Sequence, residues 1–184
     1  MNKLLTISAL VVLPFLAKAQ SPTPPMNSET NKYTYMDVVT VNPSKLNEED
    51  LYTTIQEWAK SKGYTLEEEE KSINQLTYKC SIDVSYPSTK GGTVITGKVY
   101  FHAIIAAKSG KFRYIFTDFI HMEQRGSGGE LELDSPKCGI NRLLTRSWAK
   151  IKAETDKKMR EEVIAGLKEY VDEVENDPSR NQDW

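Results

Sequence analysis

His102 and His121 are the chain's two histidines, and Cys80 and Cys138 its two cysteines. Imidazole and thiolate are the usual ligands of zinc, but a site needs three or four of them converging, with short paired spacings, and these four are scattered. The pattern predicts no metal and no cofactor. Arg125-Gly-Ser-Gly-Gly129 lacks the Gly-x-Ser-x-Gly spacing of a nucleophile elbow, and Lys90-Gly-Gly-Thr93 lacks the Gly-x4-Gly-Lys-Ser/Thr of a phosphate loop. The four glutamates 67–70 form an unbroken run, unlike the spaced carboxylates of a calcium loop, and read as a solvated face. No catalytic residue is assigned. The glycine-rich stretch beside His121, Glu123 and Asp118 is the one place where polar groups of an enzyme site would gather.

These residues are positioned by a hairpin. Residues 93–108 and 111–120 alternate as two long strands joined at Ser109-Gly110, a two-residue turn. Pairing Lys108 with Lys111 puts Ala107 opposite Phe112, Ile105 opposite Tyr114, Ala103 opposite Phe116 and Phe101 opposite Asp118 on one face, the face predicted to lie under helices. The other face carries Tyr100 with Phe119, His102 with Thr117, Ile104 with Ile115 and Ala106 with Arg113. A face left to water usually shows polar residues. Tyr100, His102, Ile104, Arg113, Ile115 and Phe119 are therefore the candidate binding residues. Two readings of Asp118 stand: a buried carboxylate with a raised pKa, or a residue at the end of the hairpin that bonds nearby backbone. Lys111 and Arg113 offer charge to an anion, or are simply solvated.

Further strands are expected at 33–41, 76–86 and 130–134, with an extended segment at 64–71. A helix begins at Asn47, whose side chain can accept the orphan amide of Asp50, with Leu46 and Leu51 as a hydrophobic staple. Leu51, Ile55, Trp58 and Ala59 form its apolar stripe, and Lys60, Lys62 and Gly63 mark its end. Trp148, Ile151, Thr155, Met159, Val163, Leu167, Val171 and Val174 mark a long second helix that Asp177-Pro178 ends.

The start of the chain reads as an export signal. Lys3 leads into the apolar run 4–16, too short to span a bilayer, and Ala17-Lys18-Ala19 is a cleavage pattern, giving a leader at 1–19. Losing Lys3 and Lys18 from 24 basic residues against 26 acidic ones moves the net charge from −2 to about −4. An exported acidic chain is a poor partner for nucleic acid. Residues 20–32, with Pro22, Pro24 and Pro25, read as a flexible tether, 33–176 as one domain and 177–184 as a frayed tail. Hydrophobic content of 39% is modest, yet Trp58, Trp148 and many β-branched residues can build a core. No transmembrane segment is predicted after the leader. Export permits a Cys80–Cys138 disulfide, and two buried thiols fit the sequence equally.

Gly97-Lys98 before an alternating strand, then Lys108-Ser-Gly-Lys-Phe-Arg-Tyr114, Asp118-Phe119 and a late Trp-containing helix resemble a secreted Bacteroidota domain of unknown function with a TBP-like fold. The resemblance implies an α+β fold, a curved antiparallel sheet with two helices packed on one face, and it implies no activity. Residues 126–138 depart from the pattern as an extra segment. The function expected is a non-enzymatic binding or interaction module of the cell envelope, periplasmic or secreted. Its partner would be an envelope protein or ligand, or a second copy meeting the open sheet face. The alternatives are a hydrolase acting on an envelope polymer or peptide, and a structural subunit of an envelope assembly.

Overall fold

In the computed structural model, residues 23–87, 94–123, 126–137 and 142–179 are described. The leader 1–19, Cys138, and with it the question of the disulfide, and the end of the tail lie outside them. Two short strands, β1 (Met26–Asn27) and β2 (Lys32–Tyr33), pair with each other. β3 (Tyr35–Thr40) follows, then helix α1 (Glu48–Ser61), β4 (Thr65–Glu70), β5 (Gln75–Pro87), β6 (Val94–Lys108), β7 (Lys111–Glu123) and β8 (Gly126–Glu130). The chain ends in one helical rod, made of α2 (Arg142–Lys158), a π turn (Met159–Ile164) and α3 (Ala165–Glu175). Six strands form one sheet in the order β3-β7-β6-β5-β4, with β8 also on β7, and every pairing is antiparallel.

The helices pack on one face of this sheet. Val99, Phe101, Ala103, Ile105 and Ala107 of β6 alternate inward with Phe112, Tyr114 and Phe116 of β7, and all are buried with Leu51, Ile55 and Trp58 of α1 and Trp148, Ile151 and Leu167 of the long rod. Asn47 caps α1 by accepting the Asp50 amide at 3.0 Å, and Gly63 takes the positive φ that follows the helix. The α+β class, the antiparallel sheet and the two helices on one face are as the sequence leads one to expect.

The π turn has a cause in the sequence. From Ile151 to Val171 one line of buried residues steps by four, through Thr155, Met159, Val163 and Leu167, with Asp156 buried beside it. Each step overruns a 3.6-residue turn by about 0.4 residue, or roughly 40°, so a regular helix would carry the stripe off the sheet. The wider turn at Met159–Ile164 takes part of that drift back.

Three expectations are corrected. Residues 26–32, read as tether, form the β1–β2 hairpin together with Tyr33, the residue expected to open the strand at 33–41. The last strand is Gly126–Glu130 rather than 130–134, and it pairs antiparallel beside β7. The hairpin register holds from Lys108–Lys111 to His102–Thr117 and then shifts, because Tyr100 pairs with Ile120. Asp118 and Phe119 together oppose Phe101, a β-bulge centred on Asp118, whose φ is +60°. One extra residue exchanges the faces of all that follow it on the strand. Phe119 is thus buried in the core rather than on the open face, and Asp118 leaves the core side.

Candidate functional site

The uncovered face of the sheet divides into an apolar strip, a cationic end and a polar chain. Ile104 pairs with Ile115, and Ile115 with Met36, so that three adjacent strands carry apolar side chains in line. Val38 lies beside them opposite Arg113. Met36 and Val38 are 62% and 51% exposed, whereas Ile104, Ile115 and Tyr100 are half-buried by their neighbours. Toward the hairpin turn, Val38, Ile73 and Ala106 floor a groove of about 490 Å³ whose rim holds Lys108, Lys111 and Arg113. None of these three cations makes an ion pair with a described residue. Glu48 also borders the groove, but its carboxylate is taken by the Asn74 amide at 2.5 Å and the Ser109 N–H at 2.8 Å.

His102 anchors the polar chain. Its Nδ1 lies 3.3 Å from Asp118 and its Nε2 3.2 Å from Glu67, and Asp118 in turn bonds the Lys32 ammonium. The bulge supplies this arrangement, since the left-handed backbone of Asp118 turns its carboxylate toward the His102 side. Partial burial pushes the Asp118 carboxyl up, but hydrogen bonds and charge from Lys32 and His102 outweigh it and hold the group below the usual carboxylate range. A neutral imidazole has one N–H and can donate to one of the two carboxylates, while an imidazolium serves both. Either way no ring nitrogen is left over to activate a hydroxyl. Among the described residues, no group of three or more histidines, cysteines and carboxylates is placed to hold a metal ion.

Of the six expected binding residues, the structure gathers Tyr100, His102, Ile104, Arg113 and Ile115 on this face and removes Phe119 from it. Sequence reasoning missed Met36 and Val38, because nothing local says that β3 lies beside β7. It missed Lys32, placed in a tether, and Glu67, placed in a solvated run. A signal for the bulge was present: the unshifted register sets a carboxylate, Asp118, in the core and an aromatic, Phe119, in water. A single bulge repairs both, and Asp is among the few residues that tolerate positive φ.

The trio that would mark an enzyme does not assemble. His121 is fully buried on the helix side, its two ring nitrogens without hydrogen-bond partners among the described residues, while Asp118 bonds residues of the opposite face. Burial drives the His121 pKa down, with the Glu123 charge acting weakly the other way. The ring is wedged between Gly97 and Gly128, where an added Cβ would stand 2.6 and 2.7 Å from its nitrogens, and it meets Trp148 edge-on at 5.8 Å. Cys80 is buried too, and burial pushes its thiol well above the usual range.

An antiparallel sheet covered by helices on one face and open on the other defines an α+β domain of TBP-like type. Two solved structures share it: a DUF4468 family protein from Bacteroides ovatus, at 10% identity over 79% of this chain and 90% of that one with TM-score 0.55, and a TBP-like protein from Parabacteroides distasonis, at 12% identity over 80% and 96% with TM-score 0.56. At such identities the likeness is one of fold. No family model and no curated protein matches the sequence.

Proposed function

We propose that the chain is an exported, non-catalytic binding module of the cell envelope, which presents the open sheet face to an envelope protein or ligand. The observation that carries the reading is the line of Met36, Ile115 and Ile104 across three strands, with Met36 and Val38 more than half exposed where water would favour polar groups. Tyr100, His102 and Arg113 flank that line with hydrogen-bonding and charged groups, the mixture by which a binding face fixes orientation. Export rests on the leader at 1–19. Among the described residues no helix is long and apolar enough to cross a membrane.

The test uses Met36→Asp and Val38→Asp, exposed positions whose replacement leaves the core intact. Partners cross-linked to the wild-type chain in envelope extract should be lost with both variants while circular dichroism and melting are unchanged. Retention of every partner would refute the reading. Light scattering on residues 20–184 separates a further case, since a wild-type dimer that becomes monomeric in both variants would make a second copy the occupant of the face.

A further inference from the structure

We infer that the groove bounded by the β1–β2 hairpin, β3 and the π turn is a separate binding site for an apolar molecule bearing one carboxylate, held by the guanidinium of Arg160. The site starts from a buried charge. Asp156 is 2% exposed, and a carboxylate so placed must be paired and hydrogen-bonded. The Tyr35 hydroxyl donates to it at 2.8 Å, and the Nε of Arg160 donates to both of its oxygens at 3.1 Å. This fixes the Arg160 side chain, whose guanidinium also lies over the Tyr35 ring at 5.6 Å. Only Nε is used. The Nη groups have no partner among the described residues, and the side chain is 56% exposed. A planar pair of donors, already immobilised, is what a carboxylate accepts side by side.

The groove supplies the rest. It has a volume of about 580 Å³, within the range of small-molecule sites, and Met26, Met36, Tyr114 and Ile164 form its apolar walls. The π turn matters here. Eight residues of regular helix end roughly 80° round from their start, and the wider turn takes part of that back, so that Lys168 and Ile164 border the same groove as Arg160. Arg160 also borders a second groove, where Glu154 and Glu161 stand beside Lys150 and Lys157, so that one mixes both charges. Charge selects the ligand. Arg160 and Lys168 are offset by Asp156 and Asp37, so the empty groove is near neutral and suits a single negative charge better than a doubly charged phosphate. This groove runs along the edge of β3 and shares Met36 with the open face, while Arg160, Ile164 and Lys168 approach it from the helix side.

The experiment is a nitrogen-15 NMR titration of residues 20–184 with 4-phenylbutyrate, with N-acetyl-Ala-Phe as a free acid, and with the amide of each. Both acids should shift the Arg160 Nε and the amides of Ile164 and Lys168, and the neutral amides should not. Binding of the peptide acid alone would point to a chain terminus as the natural ligand, and tighter binding of phenylbutyrate to a free acid. Arg160→Lys keeps the charge beside Asp156 but loses the planar fork, and should weaken the acids roughly tenfold or more. Equal shifts with acid and amide, shifts that avoid Arg160, or no response to either acid at about 10 mM, weaker than any specific small-molecule site of this size, would overturn the assignment. The wild-type shifts decide the question even if Arg160→Lys fails to fold.

Discussion

Lowering the pH through the range where an ordinary histidine protonates should destabilise this protein through His121, and the size of the effect follows from where the ring sits. Its nitrogens have no hydrogen-bond partners among the described residues, it is fully buried, and burial lowers its pKa. The unfolded chain takes up a proton near the ordinary pKa of about 6.5, while the buried ring of the folded chain takes it up only at lower pH. The stabilising contribution is therefore complete above that pH and is lost as pH falls below it, at a limit of about 1.4 kcal/mol per pH unit. If the folded ring stays neutral, ΔG of unfolding drops by about 1.4 kcal/mol between about pH 7.5 and 5.5 on account of this one residue. With an m-value of roughly 1–3 kcal/mol per molar, the urea midpoint falls by about 0.5–1.4 M. His121→Phe keeps a flat ring between Gly97 and Gly128 and has nothing to protonate. The assay is urea unfolding at both pH values for wild type and variant, and the difference of the two pH effects isolates His121 from His102. Equal pH effects in the two proteins would refute the reasoning, whatever the variant's absolute stability.

Gly97→Ala sets a methyl 2.6 Å from a ring that cannot move aside, and should destabilise by about 1–3 kcal/mol in thermal or urea unfolding. Lys32→Ala removes one of the groups that hold the Asp118 carboxyl low; NMR titration should show that pKa rising, with less than about 1 kcal/mol of stability lost because the pair is half-exposed. Because the Asp118 pKa is depressed, its share of stability is present above the unfolded value near 3.9 and disappears only as pH falls through the folded one. Leu46→Ala, at a fully buried site before α1, should cost about 2–5 kcal/mol by calorimetry. Cys80 should resist alkylation in the folded protein and react once urea unfolds it, and rapid labelling without denaturant would contradict its burial.

What could be read without coordinates were the features written in local chemistry. The Asn47 cap, the Ser109-Gly110 turn and the alternation of β6 need only neighbouring residues, and each stands in the structure where its residues imply. The open face was half legible: Ile104 and Ile115 are set by counting from the turn, but Met36 joins them through a strand pairing that spans most of the chain. Phe119 was misplaced because a register counted from one end carries any bulge forward as an error. The π turn was written in the repeated four-residue steps from Ile151 to Val171, yet a run of fours passes for ordinary helix unless its drift is summed. Arg160 escaped notice altogether, since its partner Tyr35 lies 121 residues from Asp156.

The π turn also bears on how this chain can change in length. A π turn holds one residue more than the regular turn it replaces, so it is a place where the rod already carries an insertion. Removing Glu161 or Glu162, both solvent-facing, would let the backbone close into plain helix while Ile151 and Thr155 before it and Leu167 and Val171 after it keep their grip on the sheet. The same loss within α1, which has no slack, would swing Trp58 and Ala59 by roughly 100° away from the core. Descendants of this sequence are thus free to shorten at one helix and bound to keep their count at the other.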